Sequence, residues 1–132
     1  MYNWHYVVVH QEELCPSPWR VPTRADIKNL DLALGGTGED QRNVPEQVKK
    51  YVDDMGFISS GRLNVNNTFS YVGEVGYMLT CEEAIPAASN YQNKPSFLGV
   101  SVNSNRIEPN CELTSSSTKF IGMPVRCLKE AE

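Results

Sequence analysis

The sequence has no apolar run near the ~20 residues of a membrane-spanning helix, so membrane insertion of this domain is not expected. It has no Cys-x-x-Cys pair, which argues against a zinc knuckle or a thioredoxin-type redox site. Histidine is scarce, with only His5 and His10. Basic side chains are outnumbered, 12 against 16 acidic ones for a net charge of −4, and they form no stripe. Nucleic acid is therefore not an expected partner. Residues 1–10 lack the basic and long apolar regions of a signal peptide, and Met1 reads as a start residue on an excised domain. There is no internal repeat and no linker, so one domain over residues 1–132 is expected. What is present is ordinary globular material. Hydrophobic residues make up 40% and charged residues 21%, too apolar for disorder and too polar for a membrane. A chain of this length buries roughly two-thirds of its unfolded surface.

The four cysteines, Cys15, Cys81, Cys111 and Cys127, are widely spaced. An even number fits two structural disulfides in an oxidising compartment, with three connectivities open; the alternative is four buried thiols. Residues 4–9, aromatic and β-branched, predict a strand. Thr23 suits a helix N-cap, with Asp26 completing a capping box. Ile27, Leu30 and Leu34 then mark one apolar face, and Gly35-Gly36 ends it, so a helix is expected over 24–34. Pro45 opens a second helix over 45–55, with Gly56 at its C-terminus. Beyond Gly56 the helical period disappears. Strands are expected near 68–72, 76–81, 96–102 and 123–128, with a weaker one near 105–108. Eight of the eleven asparagines follow residue 60, which makes this half rich in turns.

No combination of residues amounts to a catalytic site. His5 and His10 on one strand would face opposite sides and could not share a metal. Cys15 is the only cysteine near a histidine in sequence, and a disulfide would remove it as a nucleophile. Gly35-Gly36-Thr37-Gly38 lacks the Lys-Ser/Thr ending of a phosphate loop and follows a helix. The adjacent Glu82 and Glu83 would point to opposite faces of a strand and so do not form a catalytic pair. Asn66-Asn67-Thr68 is a glycosylation sequon. Glu108-Pro109-Asn110 offers hard oxygen ligands, a weak candidate for Ca²⁺ at Glu108 and Asn110. Tyr91, Asn93, Asn103, Asn105 and Arg106 lie in the same loop-rich half, a composition suited to adaptable recognition.

Cys15-Pro16-Ser17-Pro18-Trp19-Arg20-Val21-Pro22-Thr23 resembles the Cys-Pro-x-Gly-Trp-Arg-Leu-Pro-Thr signature of the Fibrobacter succinogenes major paralogous domain family. Thr23, Ile27 and Leu30 match the opening of the helix that follows it. Val72-Gly73 and the segment from Val75 to Thr80 resemble the glycine-aromatic block of that family. The segment from Gly122 to Leu128 resembles its terminal Gly-Phe-Ser-Val-Arg-Cys-Val. These blocks keep the family's order across residues 4–129. Pro18 replaces the usual glycine, Met78, Leu79 and Thr80 replace Trp-Ser-Ser, and Cys81 and Cys111 are additions.

The resemblance implies an α+β, C-type-lectin-like fold: two helices packed on small twisted antiparallel sheets with a long loop region. It implies a Cys15–Cys127 bridge and, by extension, Cys81–Cys111. It also implies Trp19 as a core residue and structural roles for Arg20 and Arg126. The Trp-Asn-Asp triplet that completes a lectin Ca²⁺ site does not follow Glu108-Pro109-Asn110. The functional expectation is a noncatalytic recognition or adhesion module of the bacterial cell surface. Its ligand would be a glycan or a surface protein, met by Tyr91, Asn93, Asn103, Asn105, Arg106, Glu108 and Asn110. The domain would be secreted or part of a lipid-anchored protein. The alternatives are a structural domain of an envelope or pilus-like assembly without its own ligand and, third, a thiol-dependent enzyme.

Overall fold

The computed structural model describes residues 1–64, 66–83, 95–111 and 121–129, with backbone only at Glu83, Pro95, Asn110 and Cys111. The chain is mixed α+β. In chain order its elements are α1 (Trp4–Val9), α2 (Gln11–Leu14), β1 (Trp19–Arg20), α3 (Arg24–Ala33) and α4 (Pro45–Asp53). They continue with β2 (Arg62–Leu63), β3 (Phe69–Ser70), β4 (Val75–Glu83), β5 (Pro95–Ser101), β6 (Arg106–Cys111) and β7 (Leu128–Lys129).

The centre is an antiparallel sheet of β4, β5 and β6, with β5 in the middle. Both faces are covered, which accounts for the apolar runs along β4 and β5. Leu79 pairs with Phe97 and both point to one core, with Trp4, Val7, Val21 and Met123. Met78 pairs with Leu98 and both point to the other, with Ile27, Val48, Tyr51 and Ile107. Helices α3 and α4 cover the second face; α1 and the segment 121–123 cover the first. Two two-residue sheets, β1·β7 and β2·β3, complete the architecture.

Helices α3 and α4 agree with the sequence pattern. The Thr23 side chain accepts from the Asp26 amide, and the Asp26 carboxylate accepts from the Thr23 amide, a full capping box. Pro45 opens α4, and Gly56 lies just past its end with φ of 63°. Arg20 reinforces the first cap. Its guanidinium grips the Asp26 carboxylate with two nitrogens, one at 2.8 Å. This donation, aided by the Thr23 amide and hydroxyl and opposed by burial, holds the Asp26 carboxyl at about 2 against an ordinary 3.8. A depressed carboxyl contributes stability above its unfolded value and loses it as pH falls through the folded one. Acid should therefore weaken this cap between about pH 4 and pH 2. In Arg20→Gln, acid unfolding followed by circular dichroism should begin at higher pH than in the parent.

Three expectations need correction. Residues 4–9 form a helix rather than a strand. Asn3 caps it by accepting the Tyr6 amide at 2.8 Å, and Trp4 and Val7, three apart, both enter the core. Packing at helical spacing overrides the β-propensity of the valines. The strand expected over 123–128 is reduced to β7, while Met123 makes only an isolated bridge to Tyr2. The pairing of Cys81 with Cys111 is not formed: Cys81 is a free thiol. Leu79 pairs with Phe97, and Phe97 with Cys111, so β5 stands between the two cysteines' strands. Two strand spacings amount to about 9.5 Å, beyond the ~7 Å a disulfide spans.

Cys15 and Cys127 are bonded. The bridge lies beside the β1·β7 pair, where Trp19 faces Lys129 and Arg20 faces Leu128. The two ends of the fold are thus clasped at one place. Among the described residues, no helix is long and apolar enough to cross a membrane.

Candidate functional site

The residues singled out in the loop-rich half are only partly brought together. Tyr91 and Asn93 lie outside the described residues, as does the side chain of Asn110. Asn103 and Asn105 sit in the β5–β6 turn. The Asn103 amide donates to Glu74 Oε1 at 3.3 Å, and Asn105 takes a left-handed φ of 49°. Arg106 and Glu108 stand one residue apart along β6, their side chains joined at 3.2 Å. Arg106 also grips both Asp40 oxygens, at 3.1 and 2.8 Å, and lowers the Asp40 carboxyl.

This charge cluster fixes a loop. Gln41 forms a two-way backbone bridge with Ile107, and the Val44 amide donates to the Asn105 carbonyl at 2.9 Å. The 37–43 loop thereby covers the outer edge of β6, an edge that would otherwise invite pairing with another chain. Pro109 falls where the β5–β6 register slips by one residue, the bulged edge position that tolerates a missing N–H. The fit to Ca²⁺ is poor, because the Arg106 guanidinium already lies against Glu108 where a cation would bind. Among the described residues, no three metal-capable side chains cluster.

Beneath the same loop lies a residue that the sequence reading passed over. Asp31 is fully buried on the inner face of α3. Its carboxylate accepts from Tyr51 Oη at 2.9 Å, the Gly38 amide at 2.8 Å and Gln41 Nε2 at 2.6 Å. Gln47 Nε2 approaches at 3.5 Å. Burial, then the Asp31 charge, pushes the Tyr51 phenol far up. Every strong partner is a donor, so the site is closed and satisfied, and it joins α3, α4 and the loop. A signal was available: an aspartate four residues after Ile27 on an otherwise apolar stripe.

Thiol chemistry finds little support. Cys15 is tied to Cys127. Burial, then Glu82, raises the Cys81 thiol above its ordinary value, opposite to what a nucleophile needs.

A concavity with binding chemistry lies elsewhere. A hollow of about 500 Å³ is bounded by Gln11, Glu12, Ser17, Trp19 and Arg20, with the Cys15 disulfide at its base. Trp19 is 48% exposed, which corrects its expected place in the core. The buried indole on this side of the sheet is Trp4, carried in by α1 and only 8% exposed. The Trp19 backbone is held by donation to the Pro16 carbonyl at 2.8 Å and by pairing with Lys129. A half-exposed indole on a disulfide-braced frame offers a rigid apolar face beside amide, carboxylate and hydroxyl groups.

A second surface feature is apolar. Ile58, 76% exposed, is joined by exposed Phe69, Tyr71 and Val72. The Gly73 amide donates to the Ser59 carbonyl at 2.8 Å, which holds the 58–61 loop against the turn after β3. Tyr71 adopts a left-handed φ of 61° with the Arg62 guanidinium 5.1 Å over its ring.

No family, no curated protein and no solved structure matches this chain.

Proposed function

We propose that this chain is a noncatalytic glycan-recognition module with a C-type-lectin-like fold, displayed on a bacterial surface or secreted, for example on a lipid-anchored protein. The observation that carries the reading is the exposed Trp19 face in a hollow it shares with Gln11, Glu12 and Ser17. The C–H face of a pyranose stacks on such an indole, while Gln11, Glu12 and Ser17 supply planar and hydroxyl partners for ring hydroxyls. The Cys15–Cys127 bridge supports export, since such bonds persist in oxidising compartments. The fold assignment is supported by two helices on one face of a small antiparallel sheet and by a terminal clasp beside a disulfide.

Screening on a glycan array tests this. A glycan should bind the parent, and Trp19→Ala should weaken it about tenfold or more, since exposed anchor tryptophans dominate recognition surfaces. The melting temperature should change little, because the side chain is half in solvent. Binding should survive chelation of Ca²⁺, because Arg106 already pairs Glu108. Undiminished binding by Trp19→Ala would remove the site.

The apolar surface around Ile58, Phe69 and Val72 favours a second reading, a structural unit in a larger envelope assembly. That reading requires self-association that is lost in Ile58→Asp and no glycan on the array.

A further inference from the structure

A separate cleft of about 350 Å³ opens between the 56–60 loop, β4 and the 124–126 segment. Phe57, Tyr77, Met78 and Val125 make its walls largely apolar. Among the described residues, no acidic side chain lines it, and Arg126 is the only charged residue that does. Arg126 is anchored by donating to the Met55 carbonyl, which leaves most of its five N–H donors for other partners. Among the described residues, no carboxylate pairs with it. Ser60 also lines the cleft, and its Oγ is buried without a hydrogen-bond partner. A buried hydroxyl left unpaired is costly, so Ser60 is a position where stability is spent.

An unpaired buried hydroxyl and a guanidinium without a carboxylate partner among the described residues, beside apolar walls, define one ligand chemistry. The head must accept hydrogen bonds and carry negative charge; the body must be apolar. We propose that this cleft binds a small amphipathic carboxylate. Its tail lies against Phe57, Met78 and Val125, and its carboxylate accepts from Ser60 Oγ and the Arg126 guanidinium. The volume suits such a ligand, standing at the small end of the ~300–1,000 Å³ range of ligand sites. This site is independent of the glycan reading and uses none of its residues.

Decanoate is the probe, with decanol as the uncharged control, each titrated into ¹⁵N-labelled protein below its micelle concentration. Decanoate should shift the amides of Phe57, Met78 and Val125. Decanol should bind about fivefold more weakly, and Arg126→Gln should abolish that difference. Ser60→Ala should weaken decanoate while raising the melting temperature, because it removes an unpaired buried hydroxyl. A hydroxyl with a merely structural role would instead lower the melting temperature when lost. If Arg126→Gln does not fold, Arg126→Lys, which keeps the charge, and Ser60→Ala carry the test. Equal binding of decanol and decanoate would overturn the proposal. So would shifts centred on Phe69 and Val72, which do not line the cleft, or a Ser60→Ala protein that melts lower and binds as before.

Discussion

Asp31→Ala should destabilise the protein by about 3–5 kcal/mol, the range expected when one partner of a buried charged network is removed. The carboxylate is fully buried and takes hydrogen bonds from Tyr51 on α4, Gly38 and Gln41 in the loop. Truncation leaves those donors without an acceptor and opens a cavity between the helices. Asp31→Asn should recover only part of the loss, because its amide nitrogen would face donors. Gly36→Ala should show a related defect, since its new methyl group would overlap the Asp31 carboxylate. Urea unfolding should show the midpoint falling with its slope unchanged. The loop should loosen first, with faster amide exchange at Gln41 and Val44, whose N–H groups bond to Ile107 of β6 and to Asn105 in the turn before it. A loss under about 1 kcal/mol would mean that the network is replaceable by water.

The second large effect concerns the clasp. The bonded cysteines are 112 residues apart, so the bridge closes nearly the whole chain. For loops of this size the chain-entropy treatment assigns about 4–5 kcal/mol of stabilisation. A Cys15→Ser, Cys127→Ser double variant should lose about that amount in denaturant titrations. Reductant should move the parent's midpoint to the variant's and leave the variant unchanged. Intact mass should change on reduction by one bridge, with Cys81 a free thiol before and after. If reductant leaves the parent's midpoint in place, the clasp does not hold the fold together.

The parts of this fold legible in the sequence are those governed by local rules. The Thr23–Asp26 capping box and Pro45 place α3 and α4 to within about two residues. The strands expected near 76–81 and 96–102 form β4 and β5. What local rules missed was decided by packing. Residues 4–9 have strand propensity but become a helix because Asn3 caps it and Trp4 and Val7 meet the sheet together. The sheet order placed β5 between Cys81 and Cys111, and no spacing in the sequence reveals strand order. The site was legible only in outline. Arg106 and Glu108 have the chemistry of ligand groups, yet Asp40, 66 residues away from Arg106 in sequence, engages that charge. Trp19 looked like core because its motif resembles one in which tryptophan is core; in this chain Trp4 occupies that side of the sheet.

The central claim is that Trp19 is a sugar platform, and the protein contains its own control. The sequence has two tryptophans, one exposed in the hollow and one buried in the core. Their indole N–H signals in ¹⁵N-labelled protein report on each separately. During titration with glucose, galactose, mannose, N-acetylglucosamine and their disaccharides, at least one sugar should move the Trp19 indole signal saturably. The Trp4 signal should stay in place. A sugar that binds while the Trp19 indole stays still, or no response from any sugar across the panel, would contradict the account.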